Sequence, residues 1–188
     1  MGMGIPSGTV CIRCTASHPS DLWFEGCTNC DTDHSRSNLT LTYDYDKISG
    51  KAISDPDPRM GNSIWRYHPL FPVEAERAVT LGEGGTPLLP ARRVGTALSC
   101  EDLWLKDESR NPTGSFKDRL CAVAVAKARA SGARTVAVSS TGNQGASLAA
   151  YAAAAGLSCV VLTLASIPEP LRVAIQVTGA HIVALPKP

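Results

Sequence analysis

The stretch "TVAVSSTGNQGASLAAYAAAAGLSCVVLTL" (residues 135–164) decides the fold class of this chain. Its first part, "TVAVSS" (135–140), is a short run with β-branched residues, which predicts a strand. After the turn "TGN", the Ala-rich run 144–156 predicts a helix that ends on Gly156. The apolar run "SCVVLTLA" that follows has the length and composition of a buried strand. A strand, a helix of about a dozen residues and a second strand in this order predict a βαβ unit with parallel strands.

The same alternation continues on both sides of this unit. Upstream, residues 102–108 predict a strand and residues 116–132 a helix that ends on Gly132. Downstream, Pro168 fits the start of a helix that Gly179 closes, and residues 181–185 predict a further strand. From about residue 100 we therefore predict an α/β fold with a parallel sheet and flanking helices.

Composition and charge exclude several classes of function. The chain has 188 residues, of which 44% are hydrophobic and 19% charged, so it can form a packed soluble core. The net charge is +1, and no basic run suggests binding to nucleic acid or to anionic lipid. No apolar stretch approaches the roughly 20 residues of a membrane helix, and the N-terminus lacks the pattern of a secretory signal. We expect a cytoplasmic protein that binds neither nucleic acid nor membranes.

Four of the seven cysteines form two Cys-x-x-Cys pairs with twelve residues between the pairs. Two residues between thiolates let one tight turn aim both sulfurs at a single point, and two such turns complete a tetrahedral zinc site. We predict structural zinc, and the alternatives are a redox dithiol or a module that has lost its metal. The predicted ligands are Cys11, Cys14, Cys27 and Cys30. The remaining cysteines, expected to be small buried apolar residues, are Cys100, Cys121 and Cys159.

The sequence divides into three parts. Residues 1–45 predict a zinc-ribbon-like module, in which "LTLTYDYD" (39–46) reads as a strand. Residues 46–62 predict a linker, because Asp-Pro-Asp-Pro and Gly-Asn break regular structure there. Residues 63–188 contain the predicted α/β fold.

Two turns carry the candidate chemistry, "NPTGSFKDR" (111–119) and "SSTGNQG" (139–145). Each is predicted to follow a strand and to precede a helix, so both are expected at the carboxyl edge of the sheet, where ligands bind in such folds. The second turn places backbone N–H groups at a helix N-terminus, which favours an anion, although many turns of this kind bind nothing. Lys117 stands at a helix start, where a cation opposes the helix dipole.

The segments "LGEGGTPLL", "LWLKDESRNPTGSFKDR" and "SSTGNQGASLAAYAAAAGL" resemble the threonine synthase family. That family belongs to the enzymes dependent on pyridoxal 5'-phosphate (PLP) with the tryptophan-synthase-β-like fold, PLP fold type II. The resemblance extends from about residue 64 to residue 185. It implies that Lys117 forms the Schiff base with PLP and later moves protons, a role that the helix N-terminus assists by disfavouring the ammonium form. It also implies that Asn143 bonds to the cofactor ring. The residues that it implies for the substrate carboxylate are Ser140, Thr141, Gly142 and Gln144, where the family often has a small residue at the last position.

The resemblance implies a reaction and a partner. The expected activity is a carbon–oxygen lyase reaction that converts O-phosphohomoserine, an amino-acid phosphoester, to threonine by phosphate elimination and water addition. In the family the phosphate-binding loop lies downstream of the turn 139–145 that carries Asn143, here called the asparagine turn. We therefore expect the N-terminal portion of a PLP fold. Exposed sheet edges then favour a homodimer or a complementing C-terminal half. The alternatives are another PLP-dependent lyase, dehydratase or β-replacement synthase, and a non-catalytic zinc-binding interaction protein with a relic lysine loop.

Five further residues and one turn receive structural interpretations. Lys106 and Glu108 are expected to form a surface ion pair, and Phe116 is expected in the core. Asp118 and the arginine after it are expected to orient the lysine turn from the first turn of its helix. The turn of residues 83–86 is a candidate lining of the substrate side.

Overall fold

The structure is a computed structural model that describes residues 6–19, 25–30, 36–48, 50, 54–55 and 57–186. The chain divides into two compact units: Met1–Asp57 with Tyr67–Glu74, and Pro58–Arg66 with Ala75–Pro188. Parts of the predicted module (1–45) and of the predicted linker (46–62) lie outside the described residues. The domain boundaries drawn from the sequence therefore stay predictions.

The first unit contains a small antiparallel sheet. Its strands are β1 (Gly8–Cys11), β2 (Ser17–His18) and β3 (Leu39–Thr42), in the spatial order β2-β1-β3. Thr9 of β1 lies opposite His18 on one side and Leu41 on the other. The strand predicted for 39–46 is confirmed over its first half, and a 3-10 turn, Tyr45–Lys47, replaces its end.

The second unit follows the predicted alternation. Its elements are β4 (Leu88–Pro90), α1 (Arg92–Ala97), β5 (Trp104–Lys106), α2 (Lys117–Ala130), β6 (Thr135–Ser139), α3 (Asn143–Ala155), β7 (Ser158–Leu164), α4 (Glu169–Gln176) and β8 (His181–Leu185). Strands β6, β7 and β8 form a parallel sheet in that order, which confirms the α/β prediction. Further 3-10 turns lie at Thr28–Cys30, Pro58–Met60, Ile64–Leu70, Ala75–Arg77 and Glu108–Arg110. Among the described residues, no helix combines the length and the apolar composition that crossing a membrane requires.

Strand β5 departs from the prediction. It pairs antiparallel with β4 in a separate two-stranded sheet, whereas the sequence predicted a strand of the parallel sheet. All three residues of β5 are exposed, while β7 buries every second residue. Its partner β4 is exposed along its whole length too, and the two strands form a ribbon that is not hydrogen-bonded to the parallel sheet.

The core of the second unit lies between α2, α3 and the parallel sheet. The two helices pack against each other through small side chains, which permits a close approach. The buried residues on these two helices include Ala122, Val125, Ala126, Ala149, Tyr151 and Ala152. Of the three remaining cysteines, Cys121 and Cys159 are buried as expected, but Cys100 is exposed, because it lies in the surface turn between α1 and β5.

Gly145 sets the position of α3 on the sheet. A Cβ atom at this residue would lie 2.9 Å from Cγ1 of Val161 on β7 and 3.5 Å from Cδ1 of Ile175 on α4. Because Val161 and Ile175 are both fully buried, neither side chain can move aside without disturbing the core. The first turn of α3 therefore lies against the sheet at a distance that only glycine permits.

We expect Gly145→Ala to lower the free energy of unfolding by about 1 to 3 kcal/mol through overpacking. Adding Val161→Ala removes the methyl group that the new side chain would meet, so the double variant should lose less stability than the sum of the two single changes. Urea unfolding of the four proteins measures this coupling. Additive losses would show that the contact between α3 and β7 is not what requires glycine.

Candidate functional site

The turn between β6 and α3 holds five of the predicted site residues together. The Ser140 hydroxyl oxygen accepts hydrogen bonds from the backbone N–H groups of Gly142 (3.2 Å) and Gly145 (3.1 Å). Asn143 is the first residue of α3 and is exposed. The first N–H groups of a helix have no partner within the helix, so this turn is suited to an anionic group. The residues brought together here are Ser140, Thr141, Gly142, Asn143 and Gln144.

A cavity of about 330 Å³ lies at the carboxyl edge of the parallel sheet. Its lining residues are Ser139, Thr141, Leu162, Thr163, Leu164 and Leu185. This is the edge at which ligands bind in open α/β sheets. Of the predicted site residues, Thr141 lines the cavity, whereas Lys117 and the other members of the asparagine turn are not part of its lining.

Thr163 is a feature of this cavity that the sequence analysis missed. Its side chain is 3% exposed, and its Oγ1 atom has no hydrogen-bond partner in the described structure. A buried hydroxyl without a partner costs about 1 to 3 kcal/mol, which a polar ligand atom would offset. The only signal in the sequence was a threonine near the end of the apolar run "SCVVLTLA".

Lys117 begins α2 and is half-buried. Its backbone N–H donates a hydrogen bond to the Ser115 hydroxyl oxygen (3.2 Å), and its Nζ atom lies 4.8 Å from the centroid of the Phe116 ring. The prediction that Phe116 belongs to the core is wrong, since this side chain is 57% exposed. The ring forms a cation–π contact with the lysine instead of packing inward.

The helices that follow the lysine turn (111–119) and the asparagine turn (139–145) contact each other near their N-termini. The Ser147 hydroxyl on α3 donates a hydrogen bond of 2.6 Å to the Asp118 carboxylate on α2. Cys121 Sγ, one turn further along α2, lies 4.0 Å from the carbonyl oxygen of Gln144. Contacts between the N-terminal halves of α2 and α3 thus connect the helices that follow the two predicted turns, although β5 is not part of the parallel sheet.

Glu108 anchors the segment before the lysine turn. Its carboxylate accepts two hydrogen bonds from Arg119 on α2, from Nε (2.7 Å) and Nη2 (2.8 Å), and one each from Thr86 Oγ1 (2.6 Å) and Asn111 Nδ2 (2.9 Å). The expected surface pair with Lys106 is wrong, because the lysine Nζ donates to the Thr86 carbonyl oxygen. The 3-10 turn at Glu108–Arg110 follows β5 and carries the carboxylate to α2.

The turn of residues 83–86 is built around a fully buried carboxylate. Glu83 accepts hydrogen bonds from the Tyr151 hydroxyl (2.7 Å), the Ser63 hydroxyl (3.0 Å) and the Leu81 N–H (3.0 Å). Burial and the neighbouring carboxylate raise the pKa of Tyr151, so its phenol keeps the proton that it donates. The next residue, Gly84, donates its N–H to Asn111 Oδ1 (3.1 Å) and so connects this turn to the lysine segment. Whether the turn lines the substrate side stays a prediction.

The four predicted zinc ligands form a cluster in the first unit. Their sulfur atoms all lie within 4.8 Å of one another, with 3.8 Å between Cys11 and Cys30 and 3.7 Å between Cys14 and Cys27. A tetrahedral zinc ion with Zn–S bonds of about 2.3 Å requires sulfur atoms about 3.8 Å apart. The donor set and its spacing therefore fit a tetrahedral metal ion.

Hydrogen bonds support the sulfur atoms of this cluster. The backbone N–H groups of Arg13 and Cys14 donate to Cys11 Sγ at 3.3 and 3.4 Å. Burial raises the pKa of the Cys11 thiol, but these hydrogen bonds outweigh it and bring the pKa to about 5. His18 Nε2 lies 3.2 Å from Cys27 Sγ, so the histidine contacts a predicted ligand from outside the set of four.

We expect the Glu108–Arg119 pair to make the free energy of unfolding depend on pH in the acidic range. The hydrogen bonds from Arg119 hold the pKa of Glu108 at about 2, below the ordinary value of 4.5. The stabilisation is therefore complete above about pH 4.5 and is lost as the pH falls towards about 2. Partial exposure screens the pair, so the loss should be about 1 to 2 kcal/mol. Urea midpoints of unfolding measured near pH 6 and pH 3 report this loss of stability. The midpoint of Glu108→Gln should fall less over this pH interval than that of the wild type. An equal fall in both proteins would contradict the assignment.

Comparison with known proteins identifies the family of the chain. Residues 79–187 match the family described as "Pyridoxal-phosphate dependent enzyme". The chain is 43% identical over 154 residues to a threonine synthase of Methanosarcina acetivorans, covering 81% of this chain and 36% of that protein. It is 55% identical over 100 residues to a threonine synthase of Mycobacterium tuberculosis, covering 53% of this chain and 28% of that protein.

Among solved structures, an O-ureido-L-serine synthase is 36% identical with a TM-score of 0.42, covering 44% of this chain and 28% of that chain. The chain spans about a third of the length of the threonine synthases that it matches. The matched family segment, residues 79–187, is more than half of the 188 residues and contains both α2 and α3. The chain therefore belongs to the pyridoxal-phosphate-dependent enzyme family.

Proposed function

We propose that this chain carries the lysine and asparagine turns of a threonine-synthase-like enzyme. The reaction is the conversion of O-phosphohomoserine to threonine, in which phosphate is eliminated and water is added. The observation that supports this proposal is the hydrogen bond between Asp118, which follows Lys117 on α2, and Ser147, which lies one helical turn after Asn143 on α3. The family match over residues 79–187 includes both turns, and the similarity to threonine synthases supports the choice of reaction.

The described residues fit part of a PLP site. Lys117 supplies a half-buried amine at a helix start, and Asn143 supplies an exposed amide at the neighbouring helix start. In the proposed enzyme, Lys117 would hold the cofactor covalently and Asn143 would bond to its ring. PLP, when bound, withdraws electrons from the substrate carbon atoms that lose protons. Lys117 Nζ then takes up and returns those protons.

Within the asparagine turn, the residues proposed to bind the substrate carboxylate divide by their contacts. The Ser140 oxygen already accepts two backbone hydrogen bonds, so this residue shapes the turn. Thr141 is exposed and lines the same cavity as Thr163, whose hydroxyl has no hydrogen-bond partner in the described structure. We assign the ligand contacts to Thr141 and to the N–H groups at the start of α3, with Gly142 and Gln144 supplying backbone.

The assignment of Lys117 is tested by adding PLP to the wild-type chain, to Lys117→Ala and to a matched control on the same helix, Lys127→Ala. We expect a visible absorption band that survives gel filtration and is fixed by borohydride in the wild type and the control. In Lys117→Ala the band should be absent, because the substitution removes the amine at the start of α2 that would form the Schiff base. Mass spectrometry should place the label on Lys117, and a label elsewhere would refute the assignment.

Substrate class is tested on the chain that captures PLP. We expect release of phosphate from O-phosphohomoserine and no comparable turnover of serine or O-acetylserine. The opposite preference would assign the chain to a dehydratase or β-replacement synthase.

We also propose that the cysteine cluster binds structural zinc. All four tetrahedral positions are filled by protein thiolates, which leaves none open for a substrate. Two of the four, Cys11 and Cys27, are almost completely buried, at 1% and 0% exposure. A buried group of thiolates repels itself unless a cation is present, and zinc binding then contributes about 10 kcal/mol or more to folding in small modules.

The purified chain should contain one equivalent of zinc by elemental analysis. We expect Cys27→Ser to lose most of this metal and to lower the melting temperature of the first unit, because the replaced sulfur is fully buried. The matched control is Cys100→Ser, which changes an exposed cysteine outside the cluster and should keep the metal. Equal metal content in both variants, or none in the wild type, would contradict the proposal.

Two predictions concern the surroundings of the chain. We propose that it works with further polypeptide, either as a homodimer or with a complementing C-terminal half. Support comes from β8, where the apolar side chains of Val183 and Leu185 are 44% and 43% exposed. Its cytoplasmic location stays a prediction.

A further inference from the structure

Asp118 is a fully buried carboxylate directly after Lys117. Its Oδ2 atom accepts a hydrogen bond from the Thr113 N–H at 2.7 Å. Its Oδ1 atom accepts two more, from the Thr113 hydroxyl at 2.5 Å and from the Ser147 hydroxyl at 2.6 Å. One side chain thus contacts the loop before α2 and the helix α3 beyond it.

These contacts suit an ionised carboxylate. All three partners donate, and an ionised carboxylate can only accept. Burying such a group is costly unless donors replace its water molecules. The start of α2 adds a favourable dipole for a negative charge at its second residue. The carboxylate therefore holds Thr113 and Ser147 in place, since losing either donor leaves a buried charge less well satisfied.

The geometry relates this carboxylate to both site residues. The loop from Thr113 to Lys117 is closed at one end by Asp118 and is tightened inside by the bond from the Lys117 N–H to Ser115. On α3, Ser147 lies one helical turn after Asn143, so the two side chains are on the same face of the helix. The Asp118–Ser147 bond therefore connects the backbone of the lysine to the helix face that presents the asparagine.

We propose that Asp118, through Thr113 and Ser147, is the positioning residue that fixes the Lys117 amine relative to Asn143. This inference rests on the proposed function. The lysine side chain is long, and its recorded side-chain contact is the ring of an exposed Phe116. The position of its amine thus depends on how firmly the backbone of the turn is held.

The test uses variants that remove single donors while preserving shape. Thr113→Val is isosteric and removes the hydroxyl, whereas Thr113→Ser keeps it. Ser147→Ala removes the bond from α3. Val125→Ala controls for a general loss of stability, because Val125 is fully buried in the middle of α2 and away from both turns.

Two quantities are measured on the intact chain at a temperature where all variants are folded. The first is the PLP concentration that half-saturates borohydride-fixed labelling of Lys117. The second is amide hydrogen exchange of residues 113–117 without PLP. We expect Thr113→Val and Ser147→Ala to weaken labelling about tenfold or more and to speed exchange, since each loses a bond to a charged group. Thr113→Ser and Val125→Ala should stay within about twofold of wild type for labelling.

The outcomes are distinguishable. Labelling that falls no further in Thr113→Val and Ser147→Ala than in Val125→Ala would overturn the positioning role. If the wild type captures no PLP, the proposed function fails for this chain. The exchange measurement then decides separately: unchanged exchange at 113–117 in Ser147→Ala would show that α3 does not hold the lysine turn, and faster exchange would show that it does.

Discussion

An ionised carboxylate can leave water only where hydrogen-bond donors replace the water, and two fully buried carboxylates impose this constraint on the second unit. Asp118 lies in the first turn of α2 and Glu83 in the turn of residues 83–86, yet each accepts a hydrogen bond from α3, namely from Ser147 and Tyr151. Together with Asn143 these donors follow one another at intervals of a helical turn, so they form a row on one face of α3. In this row the exposed Asn143 comes first. Ser147 and Tyr151 follow, and they connect the first turn of α2 and the turn of residues 83–86 to α3. The contact of Gly145 with β7 fixes the helix itself on the sheet.

Hydrogen bonds to charged side chains, more than apolar packing, hold the lysine turn and the segment before it. Glu108 accepts hydrogen bonds from Arg119, Thr86 and Asn111. The Asn111 side chain in turn accepts a hydrogen bond from the Gly84 N–H. The loops at 83–86 and 108–118 thus share one connected set of polar contacts. Bonds to charged groups contribute about 1.5 to 3 kcal/mol each, and losing one partner exposes the remaining group to its desolvation cost. Such a set gives a loop the fixed backbone that a positioned side chain requires.

The predictions that succeeded depended on local patterns. The segment from α2 to β8 was predictable because its periodicities and its glycine and proline breaks lie within each element. Strand β5 was misplaced because the choice of a pairing partner is not local. The Lys106–Glu108 pair was wrong for a similar reason: the true partner, Arg119, is 11 residues away and is brought near by the 3-10 turn. Thr163 was missed because an apolar run conceals one hydroxyl. The roles proposed for Lys117 and Asn143 come from family resemblance, and the bond that joins their helices has no signature in either motif.

The row on α3 has a consequence for the order in which the protein assembles. During synthesis the lysine turn leaves the ribosome before α3 does, and Asp118 and Ser147 are 29 residues apart. Glu83 and Tyr151 are 68 residues apart. Both carboxylates therefore stay hydrated on the nascent chain until α3 has emerged and docked. Both distant contacts form when α3 docks, so this one step carries the entropic cost of closing both loops. A ribosome that pauses before residue 151 would hold a chain whose lysine is present but not yet in place.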